Sequence, residues 1–379
     1  MGDTARPVAS AAVSRPVPEA AARPDDRRNP MDAARFAADQ WTRVLGAGVD
    51  PHEYQRVVAG LGSLAGWGPA CVGAGDGHLR RAEDARSARS AGEHLLAAAR
   101  WFHVATLAPY ADAHRAARAA DEAAGKALAL LEPGARQVSG EGFTGWLRGP
   151  ADAPGTVVVV PGLNSAKEEF LDLASALLAR GLAVFAMDGP GQGVLAATST
   201  FEADYERVVG RVADALGAAR IGLVGMSLGG YFAARAAAFE PRVAAVATVS
   251  GPFRLDWELL TPGIRGLIAG RTGGAAQARE FTRWVDLTDV APRITAPLLV
   301  VEGGEDVMPG VANSESLARL APRGSYLTVP HGDHLLGNAR PDWLPRLCDH
   351  FADALRGAPE GTPEEQPEAA GGPAGRARG

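Results

Sequence analysis

The chain has 379 residues, of which 46% are hydrophobic, so it can bury a large core and is not a wholly disordered protein. Its 38 basic and 44 acidic residues leave a formal charge of -6, which gives no overall electrostatic reason to bind nucleic acid or an anionic membrane surface. Cys71 and Cys348 are too few for a disulfide framework and lack the spacing of a metal site. With no apolar leader and no run of about 18 uncharged apolar residues, we expect a cytoplasmic protein that does not span a membrane.

The N-terminal third of the chain is predicted to be helical. Residues 1–30 and 358–379 lack the side chains needed for a core and are predicted to be disordered tails. Between them, residues 31–135 follow helical spacing and include two Ala-rich runs, at 88–107 and 111–131. The glycine-rich stretch 73–77 is predicted to be a loop between the helices of this part of the chain, before the first Ala-rich run.

Beyond Pro133, short β-rich runs alternate with amphipathic helices. This alternation predicts a doubly wound α/β domain over 136–357, with a mostly parallel sheet covered on both faces. The predicted strands are 142–147, 156–160, 183–187, 221–225, 243–249, 297–301 and 326–329. The predicted helices are 167–180, 201–217, 228–239, 313–320 and 341–356. Residues 251–293 interrupt the alternation and predict a short helical insert over the carboxyl ends of the strands, where ligands bind in such sheets.

A Gly-x-Ser-x-Gly motif lies between a predicted strand and a predicted helix. In this setting the small residues permit a sharp turn that lifts the Ser227 hydroxyl above the sheet. Ser227 is therefore predicted to be a nucleophile, with the N–H of Leu228 stabilising the oxyanion. A second oxyanion donor should come from the loop after 156–160, and we assign it to the Leu163 N–H. The Asn164 side chain either assists there or caps the following helix.

A serine nucleophile needs a base, and that base needs a carboxylate to orient it. The turn after the strand 297–301 carries three carboxylates, of which Asp306 fits best, with Glu302 and Glu305 as alternatives. After the last strand, His334 is predicted to be the base rather than His331. The resulting order of serine, acid and histidine is typical of α/β-hydrolases.

Two acidic segments near this site are predicted to be structural. Lys167, one of only two lysines in the chain, is followed by Glu168 and Glu169, whose charges suit the first turn of a helix. Asp188 opens a glycine-rich turn and is expected to bond the backbone of that loop.

Three longer segments, 90–103, 162–170 and 188–193, make the chain resemble the FrsA-like branch of the α/β-hydrolases. That branch includes 2,6-dihydroxypseudooxynicotine hydrolase and fungal heptaketide hydrolyases, and the resemblance covers roughly residues 31–356. It implies an α/β-hydrolase fold whose N-terminal helical cap, 31–135, packs over the active site, and whose helical insert follows the sixth strand of the fold. It also implies cleavage of carbon–carbon bonds next to ketones, or of esters.

The resemblance further implies roles within the insert. Glu258 matches an acid that binds or protonates the substrate in carbon–carbon hydrolases, and Trp257 beside it would contact the same substrate; a solvated surface carboxylate is the alternative. We therefore expect a serine hydrolase that cleaves a carbon–carbon bond next to a ketone, in a β-dicarbonyl or aryl ketone of aromatic or polyketide type. The alternatives are a carboxylesterase, a thioesterase, an acyl-transfer cyclase of secondary metabolism or a catalytically silent binding protein. No cofactor or metal is expected, the partner is a small-molecule substrate, and family analogy suggests a homodimer.

Overall fold

The computed structural model describes residues 30–357, in which an eight-stranded sheet carries helices on both faces. The strands are β1 (Arg136–Gly140), β2 (Phe143–Arg148), β3 (Thr156–Val160), β4 (Ala183–Asp188), β5 (Ile221–Met226), β6 (Val243–Val249), β7 (Arg254–Leu255), β8 (Leu298–Gly303), β9 (Val311–Ala312) and β10 (Gly324–Val329). The sheet order is β1-β2-β4-β3-β5-β6-β8-β10, while β7 and β9 form a separate antiparallel pair. Within the sheet only the β1–β2 and β2–β4 pairs are antiparallel, so the predicted mostly parallel sheet is confirmed.

Five helices of the α/β region cover the two faces of this sheet: α7 (Leu171–Leu178), α8 (Tyr205–Leu216), α9 (Leu228–Phe239), α12 (Glu315–Leu320) and α13 (Arg340–Arg356). Two more, α10 (Pro262–Thr272) and α11 (Ala275–Trp284), pack against each other between β7 and β8. Alternate side chains of β3 enter different cores: Val158 and Val160 pack with α8 and α9, whereas Val157 and Val159 pack with α7 and α13. Because β3 is buried on both faces, its sequence is a continuous run of valines rather than an alternation of apolar and polar residues.

Six helices precede the sheet and form a helical region, which we define as residues 30–131. They are α1 (Pro30–Asp39), α2 (Trp41–Gly46), α3 (Pro51–Ala59), α4 (Trp67–Glu83), α5 (Ala88–Ala105) and α6 (Ala113–Leu131). The loop predicted at 73–77 is wrong, because these residues lie inside α4. Gly75 faces α5 so closely that a Cβ there would lie 2.6 Å from the Phe102 ring, so this glycine serves helix packing rather than a turn.

The sequence pattern also missed β1. Of its five residues only Val138 is buried, so the strand lacks the apolar run or clear alternation that marks the others. The two helices α10 and α11 fall within the predicted insert. The tails predicted at 1–30 and 358–379 lie outside the described residues, apart from Pro30, and the boundaries of the cap and catalytic domains stay predictions. No helix within 30–357 is long and apolar enough to cross a membrane.

Candidate active site

Ser227 lies on the sharp turn between β5 and α9. Its backbone has φ 52° and ψ -129°, a conformation that is strained for a residue with a side chain. The flanking glycines make this turn possible: a Cβ on Gly225 would lie 2.1 Å from the Gly229 carbonyl oxygen, and one on Gly229 would lie 2.2 Å from the Val160 carbonyl oxygen. The motif therefore has glycine where backbone segments meet, and it presents the Ser227 hydroxyl at the carboxyl end of the sheet.

Hydrogen bonds connect Ser227, His334 and Asp306 in a continuous chain. The His334 Nε2 lies 3.0 Å from the Ser227 Oγ, and the His334 Nδ1 lies 2.9 Å from the nearer Asp306 oxygen. The Asp306 side chain is only 4% exposed. Since a carboxylate only accepts, Nδ1 carries the proton of the neutral ring and Nε2 is left to receive the hydroxyl proton of Ser227.

The alternatives to Asp306 and His334 lie elsewhere. Glu302 is buried and accepts a hydrogen bond from the Ser314 N–H at 3.2 Å, whereas Glu305 is exposed. Burial raises the pKa of Glu302 to about 8, and the nearby Asp306 charge adds to that rise. His331 is exposed and faces Asp342 at 3.4 Å. Of the carboxylates on this turn, Asp306 is the one that contacts His334.

The chain around His334 is held in an unusual conformation. Leu335 and Leu336 have φ values of 69° and 50°, which redirect the chain directly after the histidine. The Leu335 N–H donates to the Ser250 Oγ at 2.9 Å, and Ser250 itself has φ 53°. Ser250 thus fixes the loop that carries His334, a role that no sequence motif indicated.

The oxyanion loop, residues 161–165, packs against the nucleophile. A Cβ on Gly162 would lie 2.9 Å from the Ser227 Cβ, so the loop can approach this closely only with glycine at that position. Within the described chain, the N–H groups of Leu163 and Leu228 donate to no protein acceptor. Both predicted oxyanion donors are therefore available to a ligand.

Arg43 of α2 forms hydrogen bonds with this loop. Its Nη1 donates to the Asn164 Oδ1 at 2.9 Å, and its Nη2 donates to the Ser165 Oγ at 3.1 Å and to the Asn164 carbonyl at 3.3 Å. The same guanidinium binds both oxygens of Glu169, at 2.6 and 2.8 Å. Asn164 therefore does not cap the next helix, and its amide oxygen is used to anchor the loop. Sequence reasoning missed Arg43 because its partners lie more than 100 positions away.

Glu169 joins the helical region to the oxyanion loop through two partners. His103 of α5 places its Nε2 3.0 Å from the carboxylate, opposite Arg43. Burial alone would raise the pKa of Glu169, but the Arg43 charge and its hydrogen bonds, with those of His103, hold it well below its usual range. Glu169 lies in the first turn of a short helix, as predicted from the sequence, and there it is a buried anion with two partners.

Lys167 is the centre of a second buried ion cluster. Its side chain is 2% exposed, and its Nζ lies 2.7 Å from Asp188, 2.8 Å from Glu168 and 3.1 Å from Asp121 of α6. Burial would lower the pKa of Lys167, but these three carboxylates raise it above its usual value. Asp188 also accepts from the backbone N–H groups of Lys167 and Val194, as expected for a residue that bonds its loop.

Glu258 and Trp257 lie apart from these groups. Glu258 is 62% exposed, and its carboxylate pairs with Arg279 of α11. Trp257 is partly buried, with the Arg265 guanidinium over its ring. Neither residue contacts Ser227, His334 or Asp306 in the described part of the chain, so their role in substrate binding stays a prediction that the geometry does not favour.

A cavity of about 770 Å³ borders the oxyanion loop. It lies between the helical region and α10, and it reaches the loop at Asn164 and Ser165. Ser227 and His334 do not themselves line it, but Gly162, two residues from Asn164, touches the nucleophile. The walls are largely apolar and include Phe36, Leu107, Tyr110 and Leu267. This size and character suit a small hydrophobic molecule.

Comparison with known proteins gives consistent results. A family model described as the alpha/beta hydrolase fold matches residues 155–266. The chain is 31% identical to 2,6-dihydropseudooxynicotine hydrolase of Paenarthrobacter nicotinovorans over 282 residues, covering 67% of this chain and 76% of that protein. A crystal structure of 2,6-dihydroxy-pseudo-oxynicotine hydrolase superposes with a TM-score of 0.74 and 27% identity, covering 83% of this chain and 95% of the other. A 20-hydroxy-prefusarin hydrolase of Gibberella moniliformis is 37% identical over 118 residues, 27% of this chain and 28% of that protein.

Proposed function

Because the chain belongs to the α/β-hydrolase family and is a hydrolase, we propose that Ser227, His334 and Asp306 form its catalytic triad. The observation that carries this proposal is the hydrogen-bonded chain from the Ser227 hydroxyl through His334 to the buried Asp306 carboxylate. Three residues separated by up to 107 positions meet in the order and geometry that nucleophilic catalysis requires. The strained backbone of Ser227 adds support, since such strain is concentrated at functional sites.

In this mechanism His334 removes the Ser227 proton while the serine oxygen attacks a carbonyl carbon of the substrate. Asp306 keeps the imidazole in the required tautomer and stabilises the imidazolium that forms. The N–H groups of Leu228 and Leu163 receive the negative charge on the carbonyl oxygen. Collapse of the tetrahedral intermediate leaves an acyl-enzyme, which water then hydrolyses with His334 again acting as the base.

We further propose that the bond broken lies between the acyl carbon and the carbon next to a ketone. The bonding pair then leaves as an enolate stabilised by that ketone, and the imidazolium of His334 returns its proton to the leaving carbon. The large apolar cavity supports an aromatic or polyketide-like substrate. The names of two relatives also support this substrate class, because one is a pseudooxynicotine hydrolase and the other is a prefusarin hydrolase.

Hydrolysis of an ester or thioester is the second candidate, and the position of Glu258 favours it. An alkoxide or thiolate leaves more easily than a carbanion and does not need a separate proton donor. Glu258 was expected to supply that donor, but its carboxylate is exposed and paired with Arg279. If Glu258 is the proton donor, Glu258→Gln abolishes carbon–carbon cleavage and spares ester turnover. If His334 is the donor, as proposed above, both reactions survive the change, and product analysis decides between them.

The triad is tested with a fluorophosphonate probe followed by peptide mass mapping. We expect covalent labelling of Ser227, no labelling of Ser227→Ala, and strongly slowed labelling of His334→Ala. Product analysis with an aromatic β-diketone and an ester of the same acyl group then separates the two candidate reactions. If Ser227 of the folded protein stays unlabelled, the proposal is wrong.

A further inference from the structure

The cavity beside the oxyanion loop has very few charged groups. Among its lining residues the only acidic one is Glu168 and the only Arg or Lys is Arg271. Burial raises the pKa of Glu168, which favours its neutral form, although the neighbouring Lys167 acts in the opposite direction. Glu168 is already paired with the Lys167 ammonium at 2.8 Å, so the guanidinium of Arg271 is the cation that this wall offers to a ligand.

Arg271 lies in the last turn of α10, within the helical insert. Its side chain is half-buried, and its Nη1 donates to the Gly191 carbonyl at 3.2 Å. This is the single hydrogen bond that the guanidinium of Arg271 makes to the described chain. No carboxylate in that part of the chain forms an ion pair with this guanidinium. The guanidinium has five N–H donors, so most of them remain for a group outside the chain.

Burial lowers the pKa of Arg271, and the charge of Asp188 offsets part of this effect. Asp188, however, is fully buried and is already bonded to the Lys167 ammonium and to two backbone N–H groups. No hydrogen bond joins it to Arg271, whose guanidinium donates to the Gly191 carbonyl instead. A cation that is partly removed from water and lacks a paired anion costs free energy, which an anionic ligand would recover.

We propose that Arg271 binds a carboxylate of the ligand, so that the molecules accepted by this cavity are apolar ketones that carry a carboxylic acid. The planar guanidinium offers parallel N–H groups that match the two oxygens of a carboxylate. The apolar walls would hold the hydrocarbon part, while the reactive carbonyl lies at the oxyanion loop. This inference rests on the proposed function, because it assumes that the cavity serves Ser227.

The test is protection of Ser227 from a fluorophosphonate by two ligands that differ in one group. The ligands are benzoylacetone and its ring-carboxylated analogue, and the measured quantity is the concentration that halves the labelling rate. For the native protein we expect the acid to protect at a concentration about tenfold lower than the neutral ketone. Arg271→Gln should remove this preference, whereas Arg271→Lys should keep part of it.

Arg283→Gln is the matched control, because Arg283 lies on the exposed side of α11 in the same insert. It should keep the full preference for the acid. A preference that survives Arg271→Gln, or an acid that fails to protect the native protein up to its solubility limit, would overturn the inference. Failure of the proposed function looks different, since Ser227 would then not be labelled even without ligand.

Discussion

Within the described residues, positive φ at positions other than glycine occurs around the proposed triad. Within 30–357 the residues other than glycine with positive φ are Ser227, Ser250, Leu335 and Leu336. Ser227 is the proposed nucleophile, and the other three fix the loop that carries His334. Each such conformation costs free energy, so the surrounding sheet and helices must supply the stability that keeps it. We infer that the site is preorganised before any substrate binds.

Glu302 is a buried acid whose ionisation should affect stability rather than catalysis. Its pKa is raised to about 8 in the folded chain, whereas an unfolded chain has the ordinary value of 4.5. Between these two values the folded state binds the additional proton, so the free energy of unfolding falls as the pH rises through that window. The loss should reach a few kcal/mol, in order of magnitude, above about pH 8.

Urea unfolding of the native protein and of Glu302→Gln across pH 5 to 9 measures this effect. The glutamine keeps an oxygen for the Ser314 N–H but cannot ionise. The variant should therefore gain stability relative to the native protein as the pH rises. Parallel pH profiles for the two proteins would contradict the assignment, and Glu305→Gln, at an exposed position on the same turn, serves as the control.

At the scale of elements, the helices and strands with strong apolar patterns were predictable from the sequence. Helix α9 and strand β6 have the predicted bounds, because a continuous apolar run between turn residues admits few alternatives. The errors have a common physical reason, which is that long-range packing outweighed the local signal. The neighbours of Gly75 in the sequence favour a loop. Its place inside a helix is explained only by the close approach of Phe102, which lies on a different helix.

The same distinction applies to the candidate site. Ser227, Asp306 and His334 could be predicted to lie together because each follows a strand of a recognisable fold and bears a reactive group, and hydrogen bonds join them. Arg43 and Ser250 were not found, since each acts by contacting a loop remote in sequence and neither belongs to a motif. Glu258 stays a prediction: its residue type and position match a proposed role, while its carboxylate is exposed and paired with Arg279.

Arg43 offers a test of whether the helical region positions the oxyanion loop. A lysine keeps the charge but cannot reproduce the five hydrogen bonds that the guanidinium makes to Asn164, Ser165 and Glu169. We expect Arg43→Lys to lower kcat and the rate of fluorophosphonate labelling by about ten- to a hundredfold, with a smaller change in KM. Steady-state kinetics and labelling rates measure both quantities.

Loss of folding must be separated from loss of positioning in this experiment. The double change Arg43→Met with Glu169→Gln removes both charges and so avoids a buried unpaired anion. If Arg43 positions the loop, this variant should unfold near the native temperature yet label slowly. A stable variant with native labelling would refute the role, and Arg35→Gln, at an exposed position on α1, should behave as the native protein.

At the scale of the whole molecule, the helical region and the α/β region share buried charges at their interface. Arg43 and His103 reach across to Glu169, and Asp121 reaches across to Lys167. Ion pairs taken out of water stabilise a structure only when every partner is present. The two regions should therefore unfold together rather than as independent units.

Lys167 is the most informative residue for this last prediction. Removal of its charge by Lys167→Met leaves Asp188 buried without a counter-ion and should lower the free energy of unfolding by about 3–5 kcal/mol. Lys167→Arg keeps the charge but must fit a wider group into a 2% exposed site, so a smaller loss is expected. Asp121→Asn removes only the partner from α6 and should cost about 1 kcal/mol, because that carboxylate is partly exposed. Urea unfolding followed by far-UV circular dichroism and by tryptophan fluorescence gives these values. Coincident transitions by both probes in all three variants support one cooperative unit, whereas circular dichroism and fluorescence transitions with different midpoints would contradict it.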